Sequence, residues 1–358
     1  MVGIFVCYGT TFGLFNVVLS NYTRAMLTIM NRREFLRATA GGLASAVMPR
    51  WIDLAISPDS SRKRLRLAVV ADLHHGLAPD AELRLRSFVN AIRMKPETDL
   101  VLQMGDFCYS QPTSSPCMKI WREIDRPCLH VLGNHDMDMC DKVNAMRYTG
   151  MKARYGSYVI GGYRFIVLDL NHFKKDGKLV SYANGNYFTD NATNNWADPE
   201  QLLWLKNELN SSTEPVILIS HQPLGFSQPQ QQLPPEQSEV MQIVIDAAKQ
   251  NPKGAVAVCL CGHMHLDRLE QYQGIPCYCV NSASYFWYKG MNPYSNPLYA
   301  FMELTPDGKL KILGASGQFT KDPPHESDEV IGRSASISDR TIGFSKVQGR
   351  LACFEPSR

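Results

Sequence analysis

Residues 65–74 read Leu-Arg-Leu-Ala-Val-Val-Ala-Asp-Leu-His. A short apolar run rich in β-branched residues stops abruptly at a carboxylate and an imidazole two positions apart. The same construction recurs four times. Residues 100–104 stop at Gly105-Asp106, residues 128–132 at Gly133-Asn134-His135-Asp136, residues 215–220 at His221, and residues 255–261 at Gly262-His263-Met264-His265. Runs this short, continuous and bounded by turn residues predict strands buried on both faces.

Helical patterns lie between several of these runs. Residues 81–95 place Leu85, Phe88, Val89 and Ile92 at the i, i+3, i+4, i+7 spacing of one helix face. Asp198-Pro199-Glu200-Gln201 reads as a cap, a first-turn proline and an early acidic residue, opening a helix through Leu202, Leu203 and Leu205. Residues 236–250 also read as helix, and residues 184–195, rich in Asn, Thr and Gly, as an extended loop at a rim. Strands alternating with helices predict an α/β core.

In an open α/β sheet, ligands bind beyond the carboxyl ends of the strands, where loops from different strands converge. Five of the nine histidines sit at such ends here, beside Asp72, Asp106 and Asn134. A single histidine at a strand end is ordinarily a hydrogen-bonded structural residue. Five ends carrying N or O ligands, and none carrying lysine, need a cation to offset the carboxylates and orient the imidazoles. Side chains at i and i+2 of an extended segment point the same way, so Asp72 with His74, and His263 with His265, are expected to reach one cavity. Glycines 105, 133 and 262 would let the backbone turn sharply beside the ions. Carboxylate, amide and imidazole ligands without a thiolate favour Mn, Fe, Zn or Co over Ca or Mg.

The series Asp72-x-His74, Gly105-Asp106, Gly133-Asn134-His135-Asp136, His221, Gly262-His263-x-His265 resembles the signature of the calcineurin-like metallophosphoesterases, over roughly residues 66–315. The resemblance implies a four-layer αββα fold, a two-sheet sandwich flanked by helices. It implies two divalent transition-metal ions (Mn, Fe or Zn), with Asp72, His74 and His265 on one, Asn134, His221 and His263 on the other, and Asp106 bridging both. It further implies a small phosphorylated substrate, a phosphomonoester or phosphodiester. Two such ions about 3.5–4 Å apart acidify a bridging water for in-line attack and neutralise charge as the P–O bond breaks. His135, assigned no metal, is left to protonate the leaving oxygen or stabilise the transition state.

Two positions depart from branches of that family. The protein-phosphatase branch has Asp and Arg where this chain has Tyr109 and Ser110. Tyr109 matches the G-D-x-x-Y of purple acid phosphatases, in which tyrosine binds ferric iron, but that branch usually has glycine in place of His74. The chain is more similar to bacterial phosphodiesterase and nucleotidase-like members, with a purple-acid-phosphatase-like enzyme as the alternative. A catalytically silent binding scaffold of the same fold would be expected to have lost ligands or the histidine; all are present. A zinc peptidase or deaminase is excluded by the lack of H-E-x-x-H and P-C-x-x-C.

His75 reads as a neighbour of the site, and Gln222 and Asn281-Ser282 as either substrate contacts or loop structure. His130, His172 and His325 suggest no partner.

Asn31-Arg32-Arg33-Glu34-Phe35-Leu36-Arg37 resembles the twin-arginine export signal, followed by a small-residue stretch with Ala44-Ser45-Ala46. The expected organisation is a signal peptide over 30–50, a linker over 51–64, the phosphoesterase domain over 65–318 and a polar, poorly ordered or surface-draped tail over 319–358. Residues 1–29 contain an apolar stretch, read as an upstream extension before a start at Met30 or Met26, or as a membrane segment. Use of the export machinery and periplasmic or extracellular residence follow, with no membrane span in the mature chain; anchoring through the N-terminus is the alternative.

The ten cysteines of the 358-residue chain form no C-x-x-C pair. Cys259/Cys261 and Cys277/Cys279 alternate along apolar runs as small core residues do, with a cross-strand disulfide open to an exported protein. A net charge of +3 and no basic stripe give no case for nucleic acid.

Overall fold

The apolar runs are strands in the computed structural model, which describes residues 63–190, 192–227, 234–330 and 332–344. The export-signal and upstream readings, and all of the linker but Lys63 and Arg64, lie outside the described residues. Among the described residues no helix is long and apolar enough to cross a membrane.

Twelve strands build two six-stranded sheets: β1 (Leu65–Val70), β2 (Leu100–Gln103), β3 (Cys128–His130), β4 (Gly156–Ile160), β5 (Tyr163–Val167), β6 (Val216–Ile219), β7 (Val256–Cys261), β8 (Arg268–Tyr272), β9 (Ile275–Cys279), β10 (Ala300–Thr305), β11 (Lys309–Leu313) and β12 (Arg340–Gly343). One sheet has the order β12-β11-β10-β1-β2-β3, the other β8-β9-β7-β6-β5-β4. β1, β2 and β3 run parallel in the first, and β5, β6, β7 and β9 run parallel in the second. All five apolar runs are therefore strands of these parallel blocks, buried on both faces as their unbroken hydrophobicity requires.

Three apolar layers hold the sheets. Leu67, Val69 and Leu102 of the first sheet pack against Phe165, Ile217, Ile219 and Leu260 of the second, making the core between them. The outer face of the first sheet is covered by α1 (Ala81–Arg93) and α2 (Ser115–Trp121) through Leu85, Phe88, Val89 and Trp121. A further short helix, α3 (Lys142–Thr149), follows the Asn134 loop. The outer face of the second sheet is covered by α4 (Pro199–Ser211) and α5 (Glu239–Gln250) through Leu205, Leu209, Met241 and Val244. The architecture is thus helix, sheet, sheet, helix. α4 starts where its sequence predicts, with the Asp198 side chain accepting from Gln201 N at 3.0 Å. α5 starts three residues later than predicted, because Ser238 provides the cap, accepting from Met241 N at 3.3 Å.

The reading of 319–358 as a polar tail is corrected for its described part. β12 extends the first sheet by pairing Arg340–Gly343 antiparallel to β11, and Ile337, Ile342 and Phe344 enter the core between the sheets. Joining an existing edge requires only backbone hydrogen bonds and a few alternate apolar residues, a signal too short to stand out from polar neighbours.

Cys259 faces Cys277 and Cys261 faces Cys279 across the parallel β7–β9 pair, and all four are buried free thiols.

Candidate metal centre

The site forms where the carboxyl ends of the parallel strands of both sheets meet. The loops leaving β1 and β2 run side by side: Asp72 N donates to Gly105 O at 3.1 Å, His74 N to Asp106 O at 2.9 Å and His75 N to Phe107 O at 3.0 Å. From the second sheet, Gly262 N donates to His221 O at 3.0 Å, joining the loops after β6 and β7.

The side chains converge by a route other than the one the spacing suggests. Asp72, His74, Asp106, His263 and His265 have φ of 52°, 54°, 50°, 69° and 53°. The x-separated pairs are therefore not extended segments presenting i and i+2 on one side. These five residues adopt the left-handed conformation, at a cost of about 1–3 kcal/mol apiece, so the surrounding packing must enforce it. Two glycines make the close approach feasible. A Cβ on Gly105, whose φ is +97°, would lie 2.3 Å from the His221 ring, and one on Gly133 would lie 2.2 Å from Asp106 Oδ1.

Six of the seven residues expected as metal ligands, and His135, converge on one place, and Asn134 immediately precedes His135 on the same loop. Asp72, His74 and His265 form one cluster: His265 Nε2 lies 3.3 Å from Asp72 Oδ1 and 2.9 Å from His74 Nε2. Asp106, His221 and His263 form another: His221 Nε2 lies 3.1 Å from Asp106 Oδ2 and 3.2 Å from His263 Nδ1. Asp106 Oδ2 is also 3.7 Å from His74 Nε2, which puts this carboxylate between the clusters. His135 N donates to Asp106 Oδ1 at 2.8 Å, fixing the carboxylate plane.

The donor set fits divalent cations. His74 Nε2 and His265 Nε2 lie 2.9 Å apart, and His74 Nδ1, His265 Nδ1 and Asn134 Oδ1 are buried with no hydrogen-bond partner. Burial alone would depress the His221 imidazole, yet Asp106 and Asp72 push it up to about 10, so this pocket draws positive charge strongly. His221 Nδ1 donates to Met104 O at 2.9 Å, which leaves Nε2 turned to the carboxylates as a ligand nitrogen.

A family model described as calcineurin-like phosphoesterase matches residues 65–267, more than half of the chain and every residue of these clusters. The chain belongs to the calcineurin-like phosphoesterases. It is thereby a metal-dependent phosphoesterase. Among solved structures, a dimetal phosphatase from Danio rerio is 16% identical, with 78% of this chain and 99% of that chain covered at a TM-score of 0.52. GAP50, the anchor in the inner membrane complex of Plasmodium, is 13% identical over 79% of this chain and 90% of its own, at a TM-score of 0.48. The first of these likenesses shows the shared fold. A comparison with curated proteins found no match.

In this phosphoesterase the support of His135 comes from residues the sequence did not point out. His135 Nδ1 donates to Asp138 Oδ2 at 2.7 Å; the Tyr187 hydroxyl donates to Asp138 Oδ1 and lies 3.1 Å from the same imidazole nitrogen. Burial works against a charged His135, but Asp106 and Asp138 outweigh it and raise its pKa. At Tyr109, burial followed by the Asp138 carboxylate raises the phenol pKa. Asp138 at i+3 from His135 was legible as a helical-turn spacing in His-Asp-Met-Asp. Tyr187, in the loop expected only at the rim, carried no local signal.

Asp136 closes the loops from beneath, accepting from Phe107 N at 2.8 Å, Cys108 N at 3.1 Å and Gly133 N at 2.8 Å. His75 turns away to Ser114 Oγ and Glu82 Oε1, at 3.0 and 3.2 Å. Asn281 and Ser282 are structural: Asn281 Nδ2 donates to Ser334 O and Ser336 O, and Ser282 Oγ donates to Asp72 O at 2.9 Å. His130 packs against Trp121 and Phe107 at ring separations of 4.9 and 5.9 Å, and burial lowers it to about 4. His172 lies 3.7 Å from Asp198, and His325 is on an exposed turn.

A buried polar network ties the Asn134 loop to the His221 loop. Asn171 Nδ2 donates to Leu132 O at 2.9 Å, and Asn171 Oδ1 accepts from Gln222 Nε2. Asn171 is held by Asp169, which pairs with Lys142 Nζ at 2.7 Å and Arg154 at 3.2 Å. Burial would raise the Asp169 carboxyl, but Lys142 foremost holds it at about 2. Burial lowers Lys142 more than Asp169 restores it, yet Nζ also donates to Asn171 O at 3.1 Å, and the charged pair is the state this geometry serves. Because the Asp169 pKa is depressed on folding, its contribution is present above the ordinary carboxylate range and is lost as pH falls toward about 2. Asp169→Asn leaves Lys142 without its close counter-charge and is expected to cost about 3–5 kcal/mol in denaturant unfolding. A loss below about 1 kcal/mol would show the network to be dispensable.

Proposed function

We propose that this phosphoesterase is a two-metal hydrolase of phosphomonoesters or phosphodiesters, with Asp72, His74 and His265 holding one divalent ion, Asn134, His221 and His263 the other, and Asp106 shared. The observation that carries the reading is the pair of carboxylate–imidazole clusters on either side of Asp106. When bound, the two ions, of Mn, Fe or Zn type, would supply activation of water and neutralisation of the phosphate for in-line displacement.

The protein's own part is proton handling and orientation. His135, anchored through Nδ1 to Asp138, keeps Nε2 for the substrate. As water attacks phosphorus and the bond to the leaving oxygen breaks, Nε2–H donates its proton to that oxygen. Asp138 holds the tautomer and offsets the imidazolium charge, and Tyr187 holds Asp138.

The test is a screen of purified enzyme, loaded with Mn, against a nitrophenyl monoester, a bis-nitrophenyl diester, nucleotides and phospholipid head groups, each with and without chelator. Chelator-sensitive hydrolysis of at least one class is expected; hydrolysis of none would overturn the proposal.

The purple-acid-phosphatase alternative rests on Tyr109 as an iron ligand. The phenol pKa, raised by burial and then by the Asp138 carboxylate, favours a pocket role. The protein is expected to be colourless or nearly so with Mn or Zn, and Tyr109→Phe to keep its metal content. A purple iron-loaded protein that bleaches in Tyr109→Phe would contradict this.

Export by the twin-arginine route, with a signal over 30–50 and a linker over 51–64, belongs to the same proposal, since that route carries folded cargo and lets metals load before export. Replacing Arg32 and Arg33 by Lys is expected to trap the protein inside the cell. Normal export of the double variant, or a native N-terminus at Met1 anchored in the membrane, would refute it.

A further inference from the structure

Aromatic rings form a continuous arc across the metal centre, and both ends of it are apolar and solvent-exposed. Phe188 lies 5.9 Å from the His135 ring and 4.4 Å from Tyr187. His135 lies 5.1 Å from His74, and His74 lies 5.0 Å from Tyr285. Tyr285 in turn lies 6.2 Å from Trp287. The inner rings are committed: Tyr187 holds Asp138, and Tyr285 is buried against His74 and His265. The end rings have no such task, and Phe188 is 74% exposed and Trp287 59% exposed.

A single exposed aromatic residue is ordinary. Two of them at opposite ends of one arc through the reacting centre are placed to meet the substituents of a phosphate bound there. The backbone is paired at both. Phe188 sits in a turn closed by its own N–H to Gly185 O at 3.4 Å, and Trp287 ends a strand paired with Met291–Pro293.

The charges around the centre add to this. Among the described residues, the hydrogen bonds and ion pairs of His74, Asp106, His135, His221, His263 and Tyr285 come from Asp, His, Tyr, Ser and backbone groups, with none from Lys or Arg. A terminal phosphate with two charges is ordinarily gripped by such cations. A diester carries one charge and two substituents, which matches a centre with an exposed ring at each end and, among the described residues, no Lys or Arg in its hydrogen bonds and ion pairs.

Resting on the two-metal reading above, we infer that the substrate is a phosphodiester bearing planar aromatic groups, with Phe188 stacking the leaving group beside His135 and Trp287 the group on the other side. Phe188 and Trp287 then select substrate without taking part in bond breaking. The shared chemistry is an aromatic ring, supplied by a nucleobase or by an aryl alcohol.

The test compares kcat/KM of metal-loaded wild type, Phe188→Ala and Trp287→Ala on esters sharing one leaving group: bis(4-nitrophenyl) phosphate, methyl 4-nitrophenyl phosphate, thymidine 5′-(4-nitrophenyl) phosphate and the monoester 4-nitrophenyl phosphate. Calorimetric affinity for diphenylphosphinate and dimethylphosphinate supplies a readout free of turnover. Wild type is expected to prefer the diesters. Phe188→Ala is expected to lower kcat/KM on every diester roughly tenfold, the size of one aromatic pair, mainly through KM, with Phe188→Trp restoring it. Trp287→Ala is expected to penalise the two-ring diesters more than the methyl ester, and the thymidine ester decides between nucleoside and aryl recognition. Diphenylphosphinate should bind wild type more tightly than dimethylphosphinate, and both Ala variants should lose that margin. A preferred monoester, or alanine variants within twofold of wild type on every ester, would overturn this inference alone. No hydrolysis of any ester by the wild type would overturn the two-metal reading with it.

Discussion

Asp106→Asn is expected to reduce bound metal from two ions per chain to one or fewer and to abolish measurable turnover. Asp106 Oδ2 lies 3.1 Å from His221 Nε2 in one cluster and 3.7 Å from His74 Nε2 in the other, so one charge serves both. The amide keeps the shape and an oxygen but removes the charge, and its NH2 turns a donor toward either the imidazoles or the His135 amide, which now donates to Oδ1 at 2.8 Å. Neither orientation leaves an anion shared between two cations. Metal emission spectrometry beside steady-state kinetics reads both effects. An Asp106→Asn protein with two ions and a tenth or more of wild-type turnover would remove the shared carboxylate from the account.

His135→Gln is expected to keep about two ions per chain while turnover falls by roughly 10²–10⁴-fold, the usual worth of a positioned acid or base. The geometry makes this a contest. His135 lies near enough to His74 and Asp106 for the three to form a cluster of ligand type, so a ligand role is a definite rival. The hydrogen bond from Nδ1 to Asp138, reinforced by Tyr187, would orient the imidazole in either role, so the metal count decides between them. Loss of metal in step with loss of turnover would make His135 a ligand.

The residues of the centre were legible because each follows an unbroken apolar run, and a strand buried on both faces must end at a sheet edge, where polar side chains meet water or one another. The runs over 65–71, 100–104, 128–132, 215–220 and 255–261 therefore gave both the strands and the positions of Asp72, Asp106, Asn134, His221 and His263. How the side chains converge was not legible. Spacing suggested extended i, i+2 pairs, whereas Asp72, His74, His263 and His265 lie in the left-handed region, a choice made by contacts between loops of different sheets. Tyr187 is 52 residues from His135, and only tertiary contact joins them. β12 was missed because Arg340–Gly343 is short and mostly polar, and is a strand by virtue of the β11 edge beside it.

Metal titration into chelator-stripped protein, with binding by calorimetry and turnover of an aryl phosphodiester measured on the same samples, tests the central claim most directly. The two clusters joined by Asp106 predict two ions bound per chain and activity that rises only as the second site fills. Binding that saturates at one ion with full activity, or turnover that persists in the stripped protein, would contradict it.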